Sequence, residues 1–173
     1  MPNWCECDLY VRGKMDRVEE FLRFAAGPES AFDFNRFVPY PEQFAALDRA
    51  ALDWEEKNPP PWTAAVYKTR PRDGFNQGGY EWCCDNWGTK WNAFRVKVQR
   101  VSGGEGVASV EVNFATAWSP PRPVVERATA AFPDLSFELN YYERGAAYQG
   151  RLTSEGGNVV ADESGPYHGP RGG

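Results

Sequence analysis

Four segments of the sequence alternate apolar and polar residues, and this period of two predicts strands that bury one face only. In the first segment, residues 3–12, the side chains of Cys5, Cys7, Leu9 and Val11 would share the buried face. The same pattern recurs in three later segments, at residues 94–99, 108–114 and 135–142. Because each strand must cover its apolar face, the chain is expected to build a sheet with a second layer on one side.

Two amphipathic segments lie between these strands and would supply the covering layer. The first carries Val18 and Leu22 on one stripe, and the second begins after Ser119 and stops at Pro133. The resulting order, β-α-β-β-α-β, is that of ferredoxin-like α+β folds, in which two helices cover one face of an antiparallel sheet. Residues 146–161 are predicted to add a C-terminal hairpin extension.

The chain length of 173 residues fits a single domain, which we place at residues 1–162. An insertion at about 30–91 separates the first helix from the second strand and is predicted to form helices over 42–57 and 77–87. Residues 163–173 are rich in glycine and proline and lack core-forming aliphatic side chains, so they are predicted to be a flexible tail.

The second and third strands are predicted to pair as a hairpin. If Val101 pairs with Val107, the side chain of Lys97 would face Glu111 across the two strands. The alternation predicts that the second strand points three apolar side chains inward: Phe94, Val96 and Val98.

The charge of the chain argues against a duplex nucleic acid as its partner. The net charge is −5, and the one basic stretch, residues 61–104, holds only seven Lys and Arg against three Asp and Glu. No apolar run reaches the roughly 18 residues of a membrane span, and the first residues lack the features of a secretion signal. We therefore expect a cytoplasmic protein with no membrane partner, whose four cysteines stay reduced and form no disulfide.

Residues for nucleophilic or metal catalysis do not form a complete set. The sole histidine, His168, lies in the predicted tail, where a general base could not be held in place. Cys5 and Cys7 could join Cys83 and Cys84 in a zinc site, but the first pair shares the apolar face with Leu9. Adjacent cysteines also rarely reach one tetrahedral ion. We therefore predict that the thiols pack in the core, with no metal and no cofactor.

The outward side of the strands gathers charged side chains on the open face of the sheet. Clustered carboxylates can hold Mg²⁺ or share a proton, so a metal-dependent enzyme is one candidate function. The alternative is a ladder of salt bridges between strands. The residues of this carboxylate face are Glu6, Asp8, Arg95, Lys97, Glu111, Asn113 and Glu138.

Aromatic residues are densest at residues 80–91, where three tryptophans cannot all point one way. At least one ring is left for a partner or for the sheet, and tryptophan beside lysine is typical of an interface anchor. Single-stranded nucleic acid is a less favoured partner, because the acids beside Tyr10 on the sheet would repel phosphate. The candidate binding residues are Trp87, Lys90, Trp91, Trp118 and Tyr10.

Six short runs stand out along the chain: MPNWC at 1–5, FDFNRFVPYPE at 32–42, NWGTKWNA at 86–93, TAWSPP at 116–121, FPDL at 132–135 and YYE at 141–143. In this order they resemble the YubB-like family of ferredoxin-like domain proteins. The resemblance implies a ferredoxin-like fold and carriage by bacteriophages, plasmids or proviral regions, and it implies no reaction, cofactor or catalytic residue.

Together these features predict a binding protein rather than an enzyme. Given the implied carriage on mobile elements, we expect an accessory protein in the cytosol of a bacterial host that binds a host or defence-system protein, in a counter-defence role. The alternatives left open are the metal-dependent enzyme and the binder of single-stranded nucleic acid. The oligomeric state, and whether the insertion covers the open face of the sheet, do not follow from the sequence.

Overall fold

The computed structural model describes residues 3–101 and 106–169, which form one antiparallel sheet with helices packed against it. Its six strands lie in the order β2-β3-β1-β4-β5-β6. The strands are β1 (Trp4–Lys14), β2 (Phe94–Val101), β3 (Val107–Ala117), β4 (Ser136–Glu143), β5 (Tyr148–Glu155) and β6 (Asn158–Pro166). The helices are α1 (Met15–Ala25), α2 (Glu42–Lys57), α3 (Ala64–Tyr67), α4 (Gly79–Trp87) and α5 (Arg122–Ala131), with 3₁₀ turns at Phe34–Arg36 and Phe75–Gln77.

The alternating residues of β1 bury the predicted side chains beneath the helices. Cys5, Cys7, Leu9 and Val11 are at most 1% exposed and belong to one apolar cluster with the buried residues of α1 and α5. The same face of the neighbouring strands carries further core side chains, among them Val110, Val112, Phe137 and Leu139. The α+β class and the antiparallel sheet are therefore confirmed.

The insertion extends the helix layer and leaves the opposite face of the sheet open. Phe32 and Phe34 are fully buried, and their rings lie 5.2 and 6.2 Å from the ring of Phe114, on the inner side of β3. Trp87 at the end of α4 packs edge-on against Phe34 at 5.8 Å. The helix predicted over 42–57 is present with these bounds, and the second helix begins at Gly79 instead of residue 77.

Strand β2 differs from the prediction in two ways: it has a bulge at its start, and its register with β3 is different. Arg95 has a left-handed backbone (φ 55°), and the pairing shifts between Phe94 and Lys97. Phe94 therefore pairs with Ala115 and is 45% exposed, so the prediction that its ring points inward is wrong. At the turn end of the hairpin, Val101 pairs with Ser109 instead of Val107. Lys97 therefore pairs with Asn113, and the predicted facing of Lys97 and Glu111 is wrong.

The C-terminal hairpin is longer than the sequence indicates. Gly156 and Gly157, both left-handed, form the turn between β5 and β6. The strand β6 continues through Pro166, so the first four residues of the predicted tail pair with β5. Residues 170–173 of that tail lie outside the described residues. Among the helices described, none combines the length and apolar character that crossing a membrane requires.

Candidate binding site

Two runs that are far apart in the sequence, residues 86–91 and 116–121, are joined in the structure by hydroxyl groups. Thr89 Oγ1 donates to the carbonyl of Ala117 at 2.8 Å, and Ser119 Oγ donates to the carbonyl of Gly88 at 2.6 Å. Thr116 Oγ1 donates to the carbonyl of Ser119 at 2.7 Å. The first two bonds connect the runs, and the third closes a turn within the second run. Because all three are buried or partly buried, they fix the two runs against each other.

Lys90 lies between the two tryptophans that this junction brings together. Its Nζ atom is 4.0 Å from the ring centre of Trp91 and 3.9 Å from that of Trp118. A cation over an indole face is attracted by the negative π surface, by about 0.5–1 kcal/mol at an exposed site. Two such contacts hold the ammonium and both rings in one arrangement.

The aromatic cluster extends onto the open face of the sheet through two further rings. Trp4 stacks on Phe94 with ring centres 4.9 Å apart, and its ring lies 6.2 Å from that of Trp91. The guanidinium of Arg95 lies 5.2 Å from the centre of the Phe94 ring. We call this set the tryptophan–lysine surface; its residues are Trp4, Lys90, Trp91, Phe94, Arg95 and Trp118.

These rings are exposed although each is large and apolar. Trp91 is 40% exposed, and Phe94 and Trp118 are each 45% exposed. Contiguous exposed aromatic side chains on a folded domain mark interaction sites more often than isolated ones do. Tryptophan is also the residue most enriched among those that dominate binding energy at protein interfaces.

The backbone of Trp118 adopts a conformation that bulky residues rarely take. Its φ angle is 71°, in the left-handed region that favours glycine. The Trp118 N–H donates to the carbonyl of Asn3 at 2.9 Å, and its carbonyl accepts from the hydroxyl of Tyr148. Strained backbone of this kind concentrates at functional sites, where the surrounding structure holds it in place.

A groove of about 540 Å³ opens beside the tryptophan–lysine surface, and Trp118 belongs to both. Burial raises the pKa of Tyr141 and of Tyr148, so both phenols stay neutral at physiological pH. Burial likewise raises the pKa of the Cys7 thiol nearby in the core. The groove is therefore apolar and uncharged on this side. Its lining residues are Gly88, Trp118, Ser119, Pro120, Arg122, Pro123, Tyr141, Tyr148, Ser164 and Gly165.

The structure brings together three of the five candidate binding residues and separates two. Lys90, Trp91 and Trp118 form the surface described above. Trp87 is 5% exposed and its indole N–H donates to the carbonyl of Val38 at 2.8 Å, so the structure corrects its assignment as an exposed anchor. Tyr10 lies six residues along β1 from Trp4, about 20 Å away at the rise of a strand, and its hydroxyl donates to Glu111 at 3.1 Å.

Three members of the surface, Trp4, Phe94 and Arg95, were not among the candidate binding residues, and Arg95 was predicted only for the carboxylate face. The alternation in β1 places Trp4 on the outward side, and this was a usable signal. The alternation in the second strand predicts that Phe94 points inward, and its outward position depends on the bulge at Arg95. No periodicity in the sequence marks such a bulge.

The carboxylate face is present on the open side of the sheet, where amide side chains lie between its acids. Asp8, 2% exposed, accepts from Asn113 Nδ2 at 2.7 Å, and Glu111 accepts from the same amide at 2.8 Å. Glu138 accepts from Asn140 at 2.9 Å and pairs with Arg151 at 2.5 Å.

The remaining members of that face are Glu6, Arg95 and Lys97. Glu6 is half-buried on β1 opposite Ala115, next to the tryptophan–lysine surface. Among the described residues, neither Arg95 nor Lys97 forms an ion pair with an acid. The carboxylate face is therefore a hydrogen-bonded sheet surface with amides between its acids.

The thiols lie in two places. Cys5 and Cys7 are buried in the core as predicted, where Cys7 Sγ contacts Thr116 Oγ1 at 3.8 Å, and Cys83 is buried on α4. In the part of the chain that the structure describes, no three histidine, cysteine or acidic side chains are placed to hold a metal ion.

Comparison with known protein families finds a similarity in the C-terminal part of the chain. Residues 86–168 match the ferredoxin-like domain of Api92-like proteins. The match includes both runs that meet at Lys90, and it supports the predicted ferredoxin-like domain. The carriage on mobile elements that the YubB-like resemblance implies stays a prediction.

A solved structure is similar in fold over the whole chain. The crystal structure of protein Api92 from Yersinia pseudotuberculosis is similar over 99% of this chain and 100% of that one, with a TM-score of 0.58 and 11% identity. At this identity the similarity shows the fold alone. No curated protein matches the sequence.

Proposed function

We propose that this chain is a non-catalytic binding protein that holds another protein through the tryptophan–lysine surface. The observation that carries the proposal is the exposure of Trp91, Phe94 and Trp118 side by side on a fixed backbone. Rings that are already ordered lose little conformational entropy on binding, so more of the contact energy appears as affinity.

The faces of the exposed rings are already in contact with other side chains, and this favours a protein partner over a nucleic acid. Bases bind aromatic side chains by stacking on an open face. Phe94 has Trp4 stacked on it and Arg95 beside its ring, and Lys90 contacts both Trp91 and Trp118. Ring edges, lysine stems and backbone remain accessible, and these are the groups that protein interfaces use.

The class of partner follows from the resemblance of the sequence to YubB-like proteins. Proteins encoded by phages and plasmids act inside a bacterial host, so the expected partner is a host or defence-system protein. An inhibitory, counter-defence role is consistent with a surface that binds and with the absence of a complete catalytic set among the described residues.

The proposal is tested by comparing variants in affinity purification from a bacterial lysate. Trp91→Ala removes one exposed ring of the surface, and Tyr67→Ala removes a ring that is 55% exposed on α3, outside the surface. The wild type and Tyr67→Ala should recover the same partner, and Trp91→Ala should not. Equal recovery by all three chains, or turnover of a small substrate that Glu111→Gln abolishes, would contradict the proposal.

A further inference from the structure

The groove beside Trp118 has the size and walls of a pocket that accepts apolar groups. Its volume of about 540 Å³ lies within the roughly 300–1,000 Å³ of typical ligand pockets. The rings of Trp118, Tyr141 and Tyr148 form its walls together with Pro120 and Pro123. An extended segment could place one or two apolar side chains there.

The rim of this groove is cationic. The ammonium of Lys90 lies 3.9 Å from the ring of Trp118 and, among the described residues, forms no ion pair. Arg95 is exposed on the same surface, and Lys97 is exposed two residues further along β2. The charge at this end of the sheet is therefore available to an anion.

Two acidic groups near the groove are already bound. Asp162 of β6 pairs with Arg122 in the groove wall. Glu143 is 2% exposed and accepts hydrogen bonds from the backbone N–H groups of Gly145 and Ala146. Neither carboxylate pairs with Lys90. Glu6 is half-buried next to the tryptophan–lysine surface, and among the described residues it forms no ion pair with Lys90 or Arg95, so the rim complements acidic groups.

We infer that the groove and its rim receive an extended acidic segment of the protein partner. An apolar side chain of the segment enters the groove, a neighbouring carboxylate meets Lys90, and a carboxylate further along the segment meets Arg95. The distance from Lys90 to the Trp118 ring corresponds to one or two residues of extended chain, at about 3.3 Å each. The inference rests on the proposed function and specifies the chemistry of the partner.

A synthetic peptide tests this inference without knowledge of the partner. The probe is a short, fluorescein-labelled, acetylated peptide with central leucines flanked by glutamates, and its binding to the full chain is followed by fluorescence anisotropy. We expect saturable binding that weakens about tenfold when alanines replace the leucines. Binding should be lost when lysines replace the glutamates.

Variants of the protein show whether the peptide occupies the groove. Trp118→Ala removes the wall shared with the tryptophan–lysine surface, and Lys90→Met keeps the stem but removes the charge. Each should weaken binding about tenfold, since each removes a contact that the segment needs. Tyr67→Ala should bind as the wild type does, and circular dichroism should show that all variants are folded.

Three results would overturn the inference. They are no binding of the glutamate–leucine peptide, equal binding of the lysine version, or peptide binding that Trp118→Ala and Lys90→Met leave unchanged. Displacement of the peptide by an oligothymidylate would instead assign the site to single-stranded nucleic acid. If the peptide fails while Trp91→Ala still abolishes capture from lysate, the proposed function stands and the inference alone falls.

Discussion

At the scale of single residues, Trp118 combines an exposed ring with an unfavourable, left-handed backbone conformation. A residue with a Cβ atom in the left-handed region costs roughly 1–2 kcal/mol relative to the right-handed one. The centre of the Trp118 ring also lies 3.9 Å from Lys90 Nζ. This contact stabilises the folded protein, and the backbone conformation destabilises it. Such a cost is expected where a side chain is needed at a particular place on the surface.

Replacing Trp118 by glycine and by alanine should separate the backbone cost from the ring. Both variants lose the ring and its contact with Lys90, and both should lose partner binding. Glycine accepts φ 71° without strain, so Trp118→Gly should be more stable than Trp118→Ala by about 1 kcal/mol. Urea unfolding midpoints measure the difference. An alanine variant as stable as the glycine variant would show that the backbone relaxes at this position.

At the scale of elements, the bulge in β2 and the amides of the central strands decide what the open face displays. The bulge turns Phe94 to the open face, where it stacks on Trp4. Asn113 and Asn140 stand opposite Asp8 on either side of β1 and separate the acids of neighbouring strands. One end of the face is therefore aromatic, and its middle is polar.

The acid on β4 makes a pH-dependent contribution to the stability of this face. Desolvation works against ionisation of Glu138, but hydrogen bonds from Asn140 and Arg151 outweigh it and hold its pKa below the usual value. A lowered folded pKa stabilises the protein above the ordinary glutamate pKa of about 4.3. This contribution disappears as the pH falls through the lowered value.

Glu138→Gln should remove that pH dependence. At pH 7 the variant should be less stable than the wild type by about 1 kcal/mol or less, because the Arg151 pair is solvent-screened. The difference should shrink as the pH falls below about 4. Urea denaturation at several pH values measures it. A difference that grows on acidification would contradict the assigned direction of the pKa shift.

At the scale of the whole molecule, the insertion is part of the main core. Its buried residue Phe32 contacts Phe114 on the inner side of β3 and also Phe34 and Phe37. The insertion also supplies Lys90 and Trp91 to the binding surface through the run that follows α4. The sheet and the insertion should therefore unfold together.

Phe32→Ala tests this shared core. Removing a fully buried phenylalanine should cost about 3–5 kcal/mol. The variant should still unfold in a single transition, with far-ultraviolet and near-ultraviolet circular dichroism changing together. Leu52→Ala, at a position on α2 that is 59% exposed, is the matched control and should change stability by about 0.5 kcal/mol or less. Separate transitions for the two signals would show that the insertion is an independent unit.

The sequence by itself determined which side of each regular strand is buried, because alternation in a strand places neighbouring side chains on opposite faces. It therefore predicted Cys5 and Cys7 in the core and the outward acids, and the helical spacing of apolar residues predicted the helix at Glu42–Lys57. Only the tertiary structure decided that the insertion packs on the helix side and that the bulge at Arg95 turns Phe94 outward. It alone also placed Trp91 and Trp118 on either side of Lys90. These features depend on contacts between distant parts of the chain and on one left-handed residue in a strand, and neither leaves a periodic signal in the sequence.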